Sequence, residues 1–87
     1  MTDFIIGENM TDLKETLTGI ARAIVDNPDE VTVLETVDKK DVNLVLSVAP
    51  DDMGMVIGKN GKIAKAIRTV MKAVASADQR RVNVEIR

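Results

Sequence analysis

Apolar side chains recur every three or four positions between residues 13 and 24, a spacing that places them on one face of a helix. The apolar positions are Leu13, Leu17, Ile20 and Ile24. Asp12, followed three residues later by Glu15, is typical of a helix N-terminus. Pro28 cannot continue a helix, so we predict that this one ends near Asp26.

Two strands are predicted after this helix. Residues 31–37 are rich in Val and Thr and alternate in character, which favours a strand. A polar turn, Asp38-Lys39-Lys40-Asp41, separates them from a stretch in which apolar residues occupy every other position. Those positions are Val42, Leu44, Leu46 and Val48. This alternation predicts a strand with one face in the core and the other towards water.

The second half of the chain predicts two helices around a glycine turn. Ala49-Pro50-Asp51-Asp52 is typical of a helix start, and Gly58 can end that short helix. Gly54 inside it indicates a close packing contact. A longer helix is predicted over residues 61–77, with apolar residues on one face and cations on the neighbouring face. The apolar residues are Ile63, Ile67, Val70 and Val74, and the cations are Lys62, Lys65, Arg68 and Lys72.

The segment Gly58-Lys59-Asn60-Gly61 lies between these two helices and predicts an anion site. Two residues without a Cβ let the chain turn sharply and let another backbone come close. Exposed N–H groups at the start of the second helix, with its positive dipole end, attract anions. Lys59 and Lys62 lie alongside. A phosphate backbone is the ligand that this combination favours.

The remaining cations allow a simpler interpretation. In isolation, Lys65, Arg68 and Lys72 would form an ordinary solvated helix face. Arg80 and Arg81 follow a helix C-terminus, where cations are favoured in any case, so we assign them no role. The last strand is predicted over residues 81–87, in which apolar and polar positions alternate.

Composition narrows the function further. The 87 residues are enough for one small domain, and with 45% apolar residues they can form a core. Phe4 is the only aromatic residue, so base stacking on aromatic rings is excluded as the main means of recognition. The absence of Cys and His removes most zinc sites and the usual catalytic triads, so we expect neither an enzyme nor a cofactor. No run approaches the ~18 apolar residues of a membrane span, and we expect a cytoplasmic protein.

The net charge of −2 conceals an uneven distribution. Residues 1–52 carry 12 acidic and 4 basic side chains, whereas residues 53–87 carry 2 acidic and 8 basic ones. An acidic protein can therefore present a cationic surface. An imbalance of this kind also arises by chance in a short chain.

The predicted order is helix, strand, strand, helix, GxxG turn, helix, strand. With Val56-Ile57-Gly58-Lys59-Asn60-Gly61-Lys62-Ile63, this order resembles a KH domain of type II. Residues 23–31, 48–54 and 66–69 also resemble the small bacterial single-KH proteins of the KhpA family. The resemblance implies an α+β fold, α-β-β-α-α-β, with three helices packed on one face of a three-stranded sheet. It covers the chain from about Leu13 to Arg87. We expect the KH domain over residues 11–87, preceded by a flexible leader over residues 1–10, with Met10 as an alternative start.

The resemblance also implies a function. KH domains hold about four nucleotides of single-stranded RNA, with the GxxG backbone against sugar and phosphate and the bases in an apolar groove. Carried onto this chain, Gly58 and Gly61 give close approach, and Lys59 and Asn60 point at phosphates. Further expected RNA contacts are Val56, Ile57, Lys62, Ile63, Lys65 and Arg68. Family members act as RNA chaperones or regulators, pair with themselves or with the KH protein KhpB, and are tied to cell elongation and cell-wall growth.

Two function classes stay open on the sequence. One is a single-stranded RNA-binding module that uses mostly backbone contacts. The other is an interaction module whose loop face joins another KH chain, because an aliphatic groove that accepts bases can also accept a partner's helix. A phosphate-processing enzyme is disfavoured because the Walker pattern fails around Gly58.

Overall fold

The computed structural model describes residues 12–87, and the predicted leader lies outside the described residues. Helix α1 (Leu13–Ile24) is followed by a 3₁₀ turn (Pro28–Glu30) and by strands β1 (Thr32–Asp38) and β2 (Asp41–Ser47). Helix α2 (Pro50–Ala77) and strand β3 (Arg81–Ile86) complete the domain.

The start of α1 is fixed by its cap. The Asp12 carboxylate accepts a hydrogen bond from the N–H of Glu15 at 3.1 Å, and the Thr16 hydroxyl donates to the Asp12 carbonyl at 2.9 Å. The contact with Glu15 satisfies an N–H group that the first turn of a helix otherwise leaves without a partner, and the Thr16 hydroxyl adds a second donor to the Asp12 carbonyl, which also accepts from the Thr16 N–H. The helix ends at Ile24, two residues before the predicted end.

The three strands form one sheet in the order β1-β2-β3. Strand β1 pairs with β2 antiparallel, which the short turn between them allows, and β2 pairs with β3 parallel, which needs the long crossover through α2. Helices cover the sheet face that carries Val33, Leu44 and Val84, and the opposite face presents polar residues such as Asn43 and Glu85 to water.

The core is aliphatic and lies between this sheet face and the two helices. Helix α1 contributes Leu13, Leu17 and Ala21, and α2 contributes Val56, Ile67, Met71 and Ala75. Burying each of the larger side chains stabilises the fold by about 1.5–3 kcal/mol. The packing therefore fixes the rotation of α2 about its own axis, and with it the direction of every other side chain on that helix.

The fold class predicted from the sequence is confirmed. The domain is α+β, with helical segments packed on one face of a three-stranded sheet. The two predicted helices around the glycine turn both lie within α2, an element of 28 residues whose main chain leaves the right-handed helical region at Asn60 and Gly61. No helix within residues 12–87 is both long and apolar enough to cross a membrane.

Asp52 is a buried carboxylate that ties the start of α2 to the end of α1. Its side chain is only 1% exposed. It accepts hydrogen bonds of 3.1 Å from the main-chain N–H of Asp26, the main-chain N–H of Asn27 and the Asn27 side-chain amide. The sequence indicated only a helix start at this point, whereas the structure shows a link between segments 25 residues apart.

The environment of Asp52 also sets its ionisation. Burial alone would raise the pKa of this carboxyl, but the hydrogen bonds from the Asn27 side chain and from the two main-chain N–H groups outweigh burial and hold the pKa below its ordinary value of 3.8. A carboxylate with a lowered pKa contributes stability above its unfolded-state pKa. That contribution decreases as the pH falls through the pKa of the folded state.

Replacing Asp52 with Asn should therefore destabilise the domain in a pH-dependent way. At neutral pH the variant should unfold at lower urea concentration, because the amide NH₂ faces donors and leaves at least one buried N–H without an acceptor. Below the ordinary carboxyl pKa, the native protein loses the same stabilisation, so the two urea midpoints should converge. Midpoints that differ equally at pH 7 and at pH 3 would contradict this role for the carboxylate.

Candidate nucleic-acid interface

The glycine turn lies at the surface, in the middle of α2. Asn60 and Gly61 have positive φ angles of 65° and 68°, so two consecutive residues leave the right-handed helical region. Gly adopts this conformation without steric cost, and Asn is among the few other residues that tolerate it. The main chain is thus locally distorted at the point where the sequence predicted a turn, although α2 does not end there.

Gly58 has space around it that none of the described residues fills. A Cβ placed on Gly58 would meet no heavy atom within 4 Å, and φ at this residue lies outside the positive range. Packing and backbone conformation therefore give no reason for glycine at a helical position where alanine is about 0.8–1.0 kcal/mol more favourable. The open space leaves the main chain at Gly58 accessible to an external molecule.

The prediction of a close packing contact at Gly54 is wrong. Gly54 is exposed, and a Cβ built there would also meet nothing within 4 Å. It lies one helical turn before Gly58, so the two glycines share a face of α2. The bare strip of main chain is therefore longer than the GxxG segment.

The three predicted apolar contacts occupy different environments. Ile57 is 47% exposed beside the turn and can meet a ligand. Val56 is 1% exposed and belongs to the core, so its role is to hold the turn in place. Ile63 is partly buried and lies with Ile20 and Ile24 of α1, on a side of α2 away from β3.

The predicted cations also separate. Arg68 donates from Nε to the carbonyl of Val84 at 3.2 Å, so it points towards β3. At about 100° per residue, Lys65 lies within about 60° of Arg68, whereas Lys62 lies about 120° away. Lys65 and Lys62 are exposed, and nothing is described of the Lys59 side chain. The cations predicted to share one face therefore lie on at least two sides of the helix.

The carbonyl that Arg68 contacts lies on the open edge of the sheet. The Arg81 N–H donates to the carbonyl of Lys40, just before β2, and the Arg87 N–H donates to Leu46 in β2, which places the odd-numbered main-chain groups of β3 on the inner side. Val84 is even-numbered, so its main chain faces outward. Arg68 thus connects the cationic stripe of α2, defined here as Lys65, Arg68 and Lys72, to the open edge of β3. The sequence could not reveal this contact because residues 68 and 84 are distant along the chain.

A second surface, an apolar groove between α1 and α2, was not predicted. It has a volume of about 340 Å³ and is lined by Ile20, Ile24, Ile63, Ala66, Ile67 and Val70. The sequence signal was present, since α1 and α2 both carry Ile residues at helical spacing, but these were assigned to the core or to the base-binding groove.

Among the described residues, no cluster of His, Cys, Asp or Glu side chains could hold a metal ion.

Comparison with known proteins places this geometry in a family. The family model of the KhpA/KhpB KH domain matches residues 14–86. This range contains every described helix and strand apart from Leu13, the first residue of α1. This chain belongs to the KhpA/KhpB KH-domain family. The match contains the glycine turn, the cationic stripe and β3.

Relatives of similar length support the assignment of this KH domain. The chain is 55% identical over 74 residues to "RNA-binding protein KhpA" of Clostridium acetobutylicum, covering 85% of this chain and 99% of the relative. It is 50% identical over 74 residues, with the same coverage, to the protein of that name from Clostridium perfringens. The Caldanaerobacter subterraneus protein of that name is 55% identical over 67 residues, covering 77% of this chain and 89% of the relative. No solved structure matches.

The two glycines of the KH turn should respond oppositely to alanine. Gly58→Ala should raise the free energy of unfolding by about 0.5–1 kcal/mol, because the helix gains propensity and the Cβ enters open space. Gly61→Ala should lower it by about 1 kcal/mol or more, because alanine is strained at positive φ. Urea unfolding measures both values. Two changes of the same sign would show that the turn does not have the described geometry.

Proposed function

We propose that this KH domain binds single-stranded RNA, with the RNA backbone against the main chain of residues 58–61. The observation that carries the proposal is the open space at Gly58, next to two residues of positive φ and beside Ile57, Asn60 and Lys62 on an exposed surface. Relatives with about half of their residues identical carry the name RNA-binding protein.

Recognition should depend on the backbone more than on bases. Apolar contact comes from Ile57, since no aromatic residue is available at the turn for stacking. Lys59, Lys62, Lys65 and Arg68 supply charge, and Gly58 and Gly61 supply access. With three or four phosphates neutralised, log affinity should fall with log salt with a slope of roughly −2 to −3. Sequence discrimination should be weak.

In the cell, this binding fits an RNA chaperone or post-transcriptional regulator in the cytoplasm. The proposal extends, through the family resemblance, to pairing with a KhpB-like KH protein and to a link with cell elongation and cell-wall growth. Crosslinking RNA in the cell and sequencing the attached fragments would identify the targets. A loop variant that folds but does not bind RNA is the control for that experiment.

A second candidate function is an interaction module that forms homodimers or joins another KH chain. The observation that favours it is exposed apolar surface on both sides of the turn, namely Ile57 and the groove containing Ile63 and Val70. Such surface often marks an interaction site. The two functions can coexist, because the apolar groove and the cationic stripe lie on different sides of α2.

Gly58→Ala should weaken RNA binding even though it stabilises the free domain. A methyl group at this point pushes a bound backbone outward, and a loss of about 1.4 kcal/mol corresponds to a tenfold weaker affinity. The matched control is Gly19→Ala in α1, another exposed helical glycine with nothing within 4 Å of an added Cβ. Fluorescence anisotropy with an unstructured oligoribonucleotide should show a tenfold loss for Gly58→Ala and none for Gly19→Ala. Equal affinities would argue against close approach at Gly58.

Replacing Lys59 and Asn60 together with Asp should abolish RNA binding at moderate salt. The change removes one positive charge and adds two negative ones where phosphates approach. The domain should still fold, because Asn60 is exposed and Asp tolerates a positive φ.

The same variant separates the two candidate functions. Circular dichroism verifies the fold, anisotropy measures RNA binding, and light scattering measures molecular mass. Loss of RNA binding at constant mass supports the RNA-binding function. Undiminished RNA binding would show that the site is misassigned, and a change in mass alone would favour the interaction module.

A further inference from the structure

A second cationic groove lies between the C-terminal part of α2 and the start of β3. It has a volume of about 350 Å³ and is lined by Lys72, Ser76, Arg80, Arg81 and Val82. We propose that this distal groove is a second phosphate subsite, which holds the RNA strand beyond the nucleotides bound at the glycine turn. The inference rests on the proposed RNA-binding function and extends it to residues that the sequence left without a role.

The distal groove is continuous with the glycine turn along one side of α2. The cationic stripe, Lys65, Arg68 and Lys72, begins one helical turn after Gly61 and continues to Ser76. At about 100° per residue these five residues fall within about 80° of arc, so they form a single line on the helix. This line faces β3. The evidence is the Arg68–Val84 hydrogen bond, together with the positions of Lys72 and Ser76 in the lining of the distal groove. An RNA strand that leaves the turn along this line therefore passes Lys65, Arg68 and Lys72 in succession.

The charges in the groove differ in their availability. Lys72 forms no salt bridge with the described residues, so its charge is uncompensated. Arg80 pairs with Asp78 at 3.2 Å in a largely buried contact, so it mainly lines the groove and contributes little charge to it. Arg81 pairs with Asp41 at 2.7 Å, but its side chain is 81% exposed and that of Asp41 is 49% exposed. Exposed pairs are weak, so a phosphate can replace Asp41.

The dipole of α2 opposes anion binding in the distal groove. The C-terminal end of a helix carries roughly −0.5 of an elementary charge, and the groove lies near the end of α2. Lys72 and Arg81 each carry a full positive charge, so they exceed the dipole once RNA displaces Asp41. Asp41 therefore competes directly with the proposed ligand.

The distance requires RNA longer than a tetranucleotide. Lys72 lies 11 residues after Gly61, about 16 Å along the helix axis. A stacked strand advances about 3.4 Å per nucleotide, so roughly five nucleotides are needed to reach Lys72 and more to reach Arg81. A KH turn by itself holds about four. Continuity with the turn favours RNA over an acidic protein segment, which would gain nothing from the glycines.

The test compares oligouridylates of four and eight nucleotides by fluorescence anisotropy over a range of salt concentrations. For the native protein, the slope of log affinity against log salt should be steeper for the octamer by about 1.4, since two further phosphates each contribute about 0.7. Lys72→Gln with Arg81→Gln should remove that difference and leave tetramer affinity unchanged. Both side chains are exposed, so thermal melting should match that of the native protein.

Two further variants sharpen the test. Lys14→Gln with Arg22→Gln removes the same two residue types from the exposed side of α1, and it should leave both slopes unchanged. Asp41→Asn should strengthen octamer binding severalfold without affecting the tetramer, because it releases Arg81. Equal octamer slopes for the native protein and the Lys72/Arg81 variant, with tetramer binding intact, would overturn the second subsite alone. Absence of tetramer binding by the native protein would overturn the proposed function itself.

Discussion

The packing of α2 against the sheet is the constraint on which the rest of the surface depends. Ala64, Ile67, Met71 and Ala75 recur at intervals of three or four and are all buried. Turning the helix by one residue would expose Ile67 and Met71, each of which contributes about 1.5–3 kcal/mol by burial. Because that rotation is fixed, Arg68 and Lys72 must face β3, and Ile63 and Val70 must face α1. The positions of the candidate surfaces on α2 are therefore set by the packing of the core.

The same helix needs its turn held in place from both ends. Val56 anchors the residues just before the glycines in the core, and Asp52 attaches the first turn to the end of α1. Ile57, Asn60 and Lys62 lie exposed between these anchors and the buried Ala64. A short segment with positive φ at Asn60 and Gly61 is thereby presented to solvent without disturbing the sheet.

Local patterns in the sequence predicted the elements well, and long-range contacts account for what they missed. The period of residues 13–24, the alternation in β2 and the cap at Asp12 are signals within a few residues, and each corresponds to an observed feature. The burial of Asp52 could not be predicted, because its donors lie 25 and 26 residues earlier. The sequence pattern also could not show that the two predicted helices lie within one element of 28 residues, interrupted by just two residues of positive φ, Asn60 and Gly61.

The candidate site shows the same division. Ile57 and Asn60 were predicted from a local motif and lie exposed at the turn, whereas Val56 was assigned to the site although its side chain is buried. The sequence shows that Val56 is apolar and close to the turn, but only the packing of α2 shows that its side chain points into the core. The cations divide for a similar reason. Lys62 and Arg68 are both basic and close in sequence, yet only Arg68 contacts β3. Which charges can act on one ligand is decided by the rotation of the helix, and that rotation is decided by residues on its opposite side.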